Sequence, residues 1–168
     1  IKRINWKSIF DNWRRYGNGT SKKEIKKEEW IINGNDIQGC NEILNITAPH
    51  IMKEIHLDYL NAGANIIKTN SFGAFPSVLG EYNISDMAYE IAKKSSTIAR
   101  ESIEEYKKNT NSKRDIFVAG SLGPGIKLPS LGQITFDELY NGYIEAVRGL
   151  IDGGADINLI SKYTGLSI

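Results

Sequence analysis

The chain has 168 residues, a net charge of +1, 40% apolar and 24% charged residues, the balance of one globular domain with its own core. It is too short for a complete (β/α)8 barrel of roughly 250 residues, no apolar run approaches the ~18 residues of a bilayer-spanning helix, and no signal-peptide pattern opens it. A single cysteine, Cys40, excludes an internal disulfide and a multi-cysteine metal site made by this chain alone, and fits a reducing, cytoplasmic setting.

Residues 1–30 hold nine Lys/Arg against four Asp/Glu, together with all three tryptophans, Trp6, Trp13 and Trp30. A basic stretch interleaved with aromatics is a nucleic-acid signature. Here, however, Lys22-Lys23-Glu24-Ile25-Lys26-Lys27-Glu28-Glu29 alternates in sign, as a solvated helical face with i,i+4 pairs does. Neither a nucleic acid nor a membrane is therefore expected as a partner. Trp6, Ile9, Phe10 and Trp13 share one helical face, which Gly17-Asn18-Gly19 ends. Residues 21–33 read as a second short helix, Asn33-Gly34-Asn35-Asp36 as a turn, and 36–48 as irregular, with Ile43, Leu44 and Ile46 available to anchor the segment on a core.

Pro49, well placed in a first turn because its missing N–H has no helical partner there, opens a helix that buries Ile51, Ile55, Tyr59 and Leu60 and stops at Gly63. A short apolar strand follows from Asn65 to Thr69, with the polar tip Thr69-Asn70-Ser71. Pro76 and Gly80 punctuate a loop or short helix. The longest helix spans 86–108, with Ser85 as its expected N-cap, small residues along its inner face, and Lys107 and Lys108 favouring its carboxyl end. Ile116-Phe117-Val118-Ala119 is a second strand, running into Gly120-Ser121-Leu122-Gly123-Pro124-Gly125. Thr135-Phe136-Asp137-Glu138 is a capping box. It opens a helix expected to bury Leu139, Tyr143, Ile144, Val147, Leu150 and Ile151 before Gly153-Gly154, and Asp156–Ile160 reads as a third strand.

Ala62-Gly63-Ala64-Asn65-Ile66 and Gly153-Gly154-Ala155-Asp156-Ile157 are the same helix-to-strand joint used twice. Strands separated by one helix each give a parallel sheet with right-handed crossovers, and in such α/β folds ligands bind at the carboxyl ends of the strands. Those ends offer Thr69, Asn70, Ser71, Ser121 and Gly123, groups suited to gripping a small polar ligand; alternatively they cap and brace the turns. Lys68 is the one strong base among them, either a Schiff-base nucleophile or a side chain pointing outward. The Gly120–Gly125 loop lacks the Gly-Lys-Ser/Thr ending of a P-loop. His50 and His56 lie six apart, which is not metal-ligand spacing, and read as surface or packing residues.

Several runs resemble the amino-terminal homocysteine-binding domain of cobalamin-dependent methionine synthase: Gly39-Cys40-Asn41-Glu42-Ile43-Leu44-Asn45-Ile46-Thr47; Ile55-His56 with Tyr59; Ala62-Gly63-Ala64; Ile67-Lys68-Thr69-Asn70-Ser71-Phe72-Gly73-Ala74; Phe117 to Pro124; Lys127 to Gly132; Ile134 to Leu139; and Gly149 to Asp156. The resemblance covers residues 36–160 in uninterrupted order, leaving 1–35 as a divergent basic segment and 161–168 as a non-matching tail. It implies the amino-terminal portion of a (β/α)8 barrel, incomplete here, with homocysteine held at the strand ends by groups matching Thr69, Asn70, Ser121 and Gly123. In the family a zinc ion on three cysteines makes the homocysteine thiolate, the attacking form of the thiol, and methylcobalamin gives up the methyl group.

The departures bear on activity. The family's opening strand ends in Asp-Gly-Ala-Met-Gly-Thr, of which Ile9-Phe10-Asp11 and Gly19-Thr20 are interrupted remains. Ser161-Lys162 stand where the family has Glu-Thr, and the later strands with their zinc-ligating cysteines lie outside these 168 residues. The resemblance therefore implies no catalytic or metal-binding residue on this chain, and neither zinc nor cobalamin bound by it alone. An unclosed parallel sheet leaves edges unpaired and a face wet, so marginal stability or self-association through the unclosed barrel is expected. The alternatives are a homocysteine methyltransferase using betaine or S-methylmethionine, and a non-catalytic truncated gene product. The run at 39–47 favours the cobalamin branch; the foreign ends favour the truncated product.

Overall fold

A computed structural model describes residues 25–156. The expected helical face at Trp6 and Trp13, and the expected third strand beyond Asp156, lie outside the described residues.

The segment expected as a second helix is different. Lys27–Trp30 makes a single 3-10 turn, and Ile31–Ile32 (β1) then pairs antiparallel with Asn35–Asp36 (β2). Asn33 and Gly34 both take positive φ, 51° and 80°, as a two-residue hairpin of the right twist requires. The Asn-Gly turn and β-branched Ile31-Ile32 outcompete a helical charge pattern worth only a few tenths of a kcal/mol per pair. The stretch expected as irregular carries a 3-10 turn at Asn41–Ile43 and a short helix, α1 (Leu44–Thr47). Ile43 and Leu44 anchor it, both fully buried, and Ile46 packs against the same core.

Helix α2 (Pro49–Asn61) starts on its proline and buries Ile51, Met52, Ile55, His56 and Leu60. Its carboxyl end is closed by Arg114, whose guanidinium donates to Leu60 O (3.0 Å), Asn65 Oδ1 (3.1 Å) and Tyr106 Oη (2.8 Å). After a short helix α3 (Pro76–Leu79) and a 3-10 turn at Ser85–Met87 comes α4 (Ala88–Thr110). Ser85 does not cap it: the 3-10 turn, closed by Met87 N–H donating to Ile84 O (3.1 Å), occupies the entry and puts Met87 at the N-cap with no side-chain bond. The small inner face forms as expected. Ser95 and Ser102 are fully buried, and each satisfies its hydroxyl on a carbonyl of its own helix, Ala92 and Ile98, at 2.7 Å.

Helix α5 (Phe136–Asp152) begins at the expected capping box, with Thr135 N–H donating to Glu138 Oε2 (2.8 Å) and Glu138 N–H to Thr135 Oγ1 (3.2 Å). Its buried face is the expected one only in part: Leu150 is buried and Leu139, Tyr143 and Val147 are half-buried, but Ile144 and Ile151 are exposed. Gly142, Ala146, Gly149 and Leu150 are inside, while Phe136, Tyr140, Ile144 and Ile151 face out, Phe136 at 70% exposure. The cause is the closeness of α4: a Cβ on Gly149 would lie 2.5 Å from Tyr89 O, and one on Gly153 would strike Lys93 O. Backbones that close admit only small residues at the seam, so Ile144 and Ile151 are turned to the flank.

Ile66–Lys68 (β3) and Phe117–Ala119 (β4) pair in parallel with Lys68 opposite Ala119, joined by a crossover that contains α4. Strand alternation sends Ile67 and Val118 to one side, where they are buried with Leu60, Ala99, Ile103 and Ile116 against α2 and α4, each buried Leu, Ile or Val side chain contributing roughly 1.5–3 kcal/mol. The other side carries Ile66, Lys68, Phe117 and Ala119, all partly exposed. Past β4 the chain returns at Asp156, whose N–H donates to Val118 O (2.9 Å) while its carboxylate accepts Val118 N–H (2.6 Å). Arg100 holds that carboxylate at 2.8 Å. The result is an α/β fold with a short parallel sheet covered by helices on one side. No helix among the described residues is long and apolar enough to cross a membrane.

Candidate functional site

The carboxyl ends of β3 and β4 are tied by a hydrogen-bonded circuit. Thr69 N–H donates to Ala119 O (3.0 Å), Ser121 N–H donates to Thr69 Oγ1 (2.8 Å), and Ser71 Oγ donates to Ser121 O (2.8 Å). Thr69 and Ser71 share a 2.6 Å hydroxyl contact. Because the Ser71 proton is committed to Ser121 O, Thr69 is the donor in that contact. Thr69, Ser71 and Ser121 are all buried. Of the sequence-derived candidates, Thr69, Ser121 and Gly123 are brought together here. The hydroxyls of Thr69 and Ser71 make their bonds to protein groups.

Gly123 closes the circuit on its outer side, with its N–H donating to Phe72 O (3.0 Å) and its carbonyl accepting from Tyr143 Oη (2.9 Å). A Cβ there would sit 2.5 Å from Phe72 O, so only glycine lets the two loops approach this closely. Asn70 lies apart, toward the amino-terminal layer, where its amide donates to Asn41 O (2.8 Å) and contacts Met52 Sδ (3.1 Å).

Three further residues shape the site. Glu42 accepts Gly73 N–H on Oε1 (2.8 Å), fixing the turn after Ser71. Asn45, fully buried, donates to Glu42 O (2.8 Å) and Asn70 O (2.6 Å), and its Oδ1 has no partner among the described residues. Lys68 stands half-buried at the end of β3 on the sheet's open side. Burial pushes its pKa below the usual lysine range, and the nearby Glu42 carboxylate opposes that shift. The runs that carry the resemblance contain Glu42 and Asn45, but nothing in residue type or spacing marks either as bracing the tip. That relation joins residues about 30 apart in sequence.

Cys40 and the two histidines have structural roles. Burial, with Glu42 adding to it, pushes the Cys40 thiol up to about 11, so it stays protonated. Burial lowers His56 to about 4, leaving a neutral packing imidazole. His50 is exposed beside Glu29 at 3.4 Å. Both histidines thus fill the packing and surface roles expected of them.

A family model described as homocysteine S-methyltransferase matches residues 16–165. The chain belongs to the homocysteine S-methyltransferase family. It is 42% identical over 124 residues to methionine synthase of Mycobacterium tuberculosis, and 37% identical over 145 residues to that of Mycobacterium leprae. Those alignments cover 74% and 86% of this chain but only 10% and 12% of the relatives, so the chain spans about a tenth of the length of the curated methionine synthases it matches. Among solved structures it is similar to the metallated form of the homocysteine methyltransferase MmuM from Escherichia coli, with a TM-score of 0.58 and 26% identity over 67% of this chain and 42% of that one. The oxidized form of MmuM gives a TM-score of 0.62 at 20% identity, over 89% of this chain and 56% of that one, a likeness of fold alone. The expected family is thereby established, with a match that is partial on the relatives' side.

Proposed function

We propose that this chain is the amino-terminal part of a (β/α)8 homocysteine-binding domain of a methionine synthase, with its barrel-derived region at 36–160, and that the strand ends of β3 and β4 position homocysteine. One observation carries the reading: two parallel strands of a family-matched segment end in a single braced tip, Thr69–Ser71–Ser121–Gly123. Strand ends are where such folds put ligands. In this reading Thr69 and Ser121 hold the tip's shape, Gly123 keeps the loops close enough for backbone groups to meet the ligand, and Asn70 borders the site. The higher identity to methionine synthases than to MmuM favours a cobalamin methyl donor over betaine or S-methylmethionine.

Zinc, which the family implies, does not fit the described residues. No group of three His, Cys, Asp or Glu among them is arranged to hold a metal. Cys40 is buried with its thiol held protonated, the reverse of a metal-bound thiolate. In this reading the thiol-activating metal and the methyl donor belong to the parent enzyme, and this chain's part is to bind and orient the amino-acid end of the substrate. Its setting is cytoplasmic and its partner a small molecule, and the open side of the sheet is where copies would associate.

Titration calorimetry of the purified chain with L-homocysteine under reducing conditions tests the proposal. Saturable binding without methyl transfer, and elemental analysis showing no stoichiometric zinc, are expected. No heat up to about ten millimolar, on the order of the weakest useful affinity, overturns the binding function.

A further inference from the structure

We infer that Lys68 binds the carboxylate of the amino-acid thiol, an assignment that deepens the proposed function and rests on it. The strand sets its side. Ile67 is packed on the helices, so Lys68, next in β3, stands on the open side with Ile66, Phe117 and Ala119. It is the last residue of β3, which places it at the same end as the braced tip. Glu42 fixes the direction further: pinned to Gly73 N–H at 2.8 Å, its carboxylate is close enough to favour the charged ammonium. A positive and a negative group thus flank the turn that follows the strand.

Lysine and glutamate side by side are complementary to a zwitterion. The ligand's carboxylate meets Lys68 and its ammonium offsets Glu42, so neither charge is buried uncompensated. The hydroxyls of Thr69 and Ser71 brace that tip, and Lys68 is the residue there that carries a full positive charge. Long cationic side chains can cover apolar surface with their stems while the head stays charged, which suits a half-buried lysine. A charge-assisted bond at a half-buried site is stronger than a neutral one. The Schiff-base reading would require a carbonyl substrate, which the proposed reaction lacks.

The test is titration calorimetry of the 168-residue chain and its Lys68→Met variant with two thiols. L-homocysteine carries the carboxylate; 3-mercaptopropylamine keeps thiol and amine and lacks it. Lys68→Met is expected to weaken homocysteine about 10- to 100-fold and leave 3-mercaptopropylamine unchanged, and Lys68→Arg to retain most of the homocysteine affinity. If Lys68→Met has a lower melting temperature by circular dichroism, Lys68→Gln carries the same comparison. Equal effects on both thiols, or none on either, overturn the assignment of Lys68 alone. Failure of the unmodified chain to bind either thiol overturns the proposed function and this assignment with it.

Discussion

Thr69→Val is the sharpest test of how the tip is built. Valine keeps the shape and β-branching of threonine, so the strand and its packing are retained while one hydroxyl is lost. That hydroxyl accepts Ser121 N–H at 2.8 Å and donates to Ser71 Oγ at 2.6 Å, in a place where Thr69 is 0% and Ser121 6% exposed. Water does not reach the orphaned Ser121 N–H. Leaving a buried donor unmade costs about 1–3 kcal/mol; Ser71 keeps its bond to Ser121 O and adds little. Against a typical total stability of about 5–15 kcal/mol, a loss near ~2 kcal/mol lowers the melting temperature by roughly 4–8 °C for a chain of this size. Urea unfolding followed by circular dichroism, compared with Thr69→Ser, measures it. Serine preserves the oxygen and gives up one methyl, about 1 kcal/mol, so it should be the milder change. If Thr69→Val is as stable as the parent, or Thr69→Ser less stable than Thr69→Val, the hydroxyl circuit does not hold the strand ends together.

Gly153→Ala should destabilise by roughly 1–3 kcal/mol or more, because the new methyl strikes Lys93 O and lies 2.7 Å from Ser96 Cβ across the α4–α5 seam; a denaturant midpoint unchanged from the parent would contradict that packing. His56, ordinarily titrating at 6.5 and lowered to about 4 in the fold, is uncharged in the native state and takes a proton more readily when unfolded. Stability should therefore be unaffected by this group above pH 6.5 and fall progressively between pH 6.5 and 4, with His56→Gln flattening the slope in that window. Cys40, 2% exposed with its thiol raised to about 11, should react with a thiol reagent at mildly alkaline pH only after denaturant is added; rapid labelling of the native chain would place it elsewhere.

The sequence made legible what depends on local pattern. Pro49 marked the start of α2, the Thr135–Glu138 box marked the start of α5, and the apolar pairs at 66–67 and 116–118 marked the two strands, because each signal acts within a few residues of itself. The misses share a cause as well. Residues 21–33 carry a helix-like charge pattern, but the decisive feature was the two-residue Asn33-Gly34 turn with both φ positive. Ser85 looked like a cap until Met87 bonded back to Ile84. On α5 the larger side chains suggested the buried stripe, and Leu150 lies in it, yet where α4 comes closest the seam takes glycine and Ile144 and Ile151 face out, a fact about α4 that α5 does not contain. The site shows the same division. The tips Thr69–Ser71 and Ser121–Gly123 were visible as polar ends of apolar strands, whereas the Glu42–Gly73 and Asn45–Asn70 bonds that brace them join segments far apart in the chain.

The double grip of Asp156 on Val118 has a bearing on solubility. An exposed strand edge invites a neighbouring molecule to extend the sheet, and β4 would offer such an edge at its centre. Instead both main-chain groups of Val118 are taken by one residue, itself clamped by Arg100. A second molecule arriving there finds neither donor nor acceptor to join. Among the described residues, the β4 edge is thus closed to strand addition at Val118.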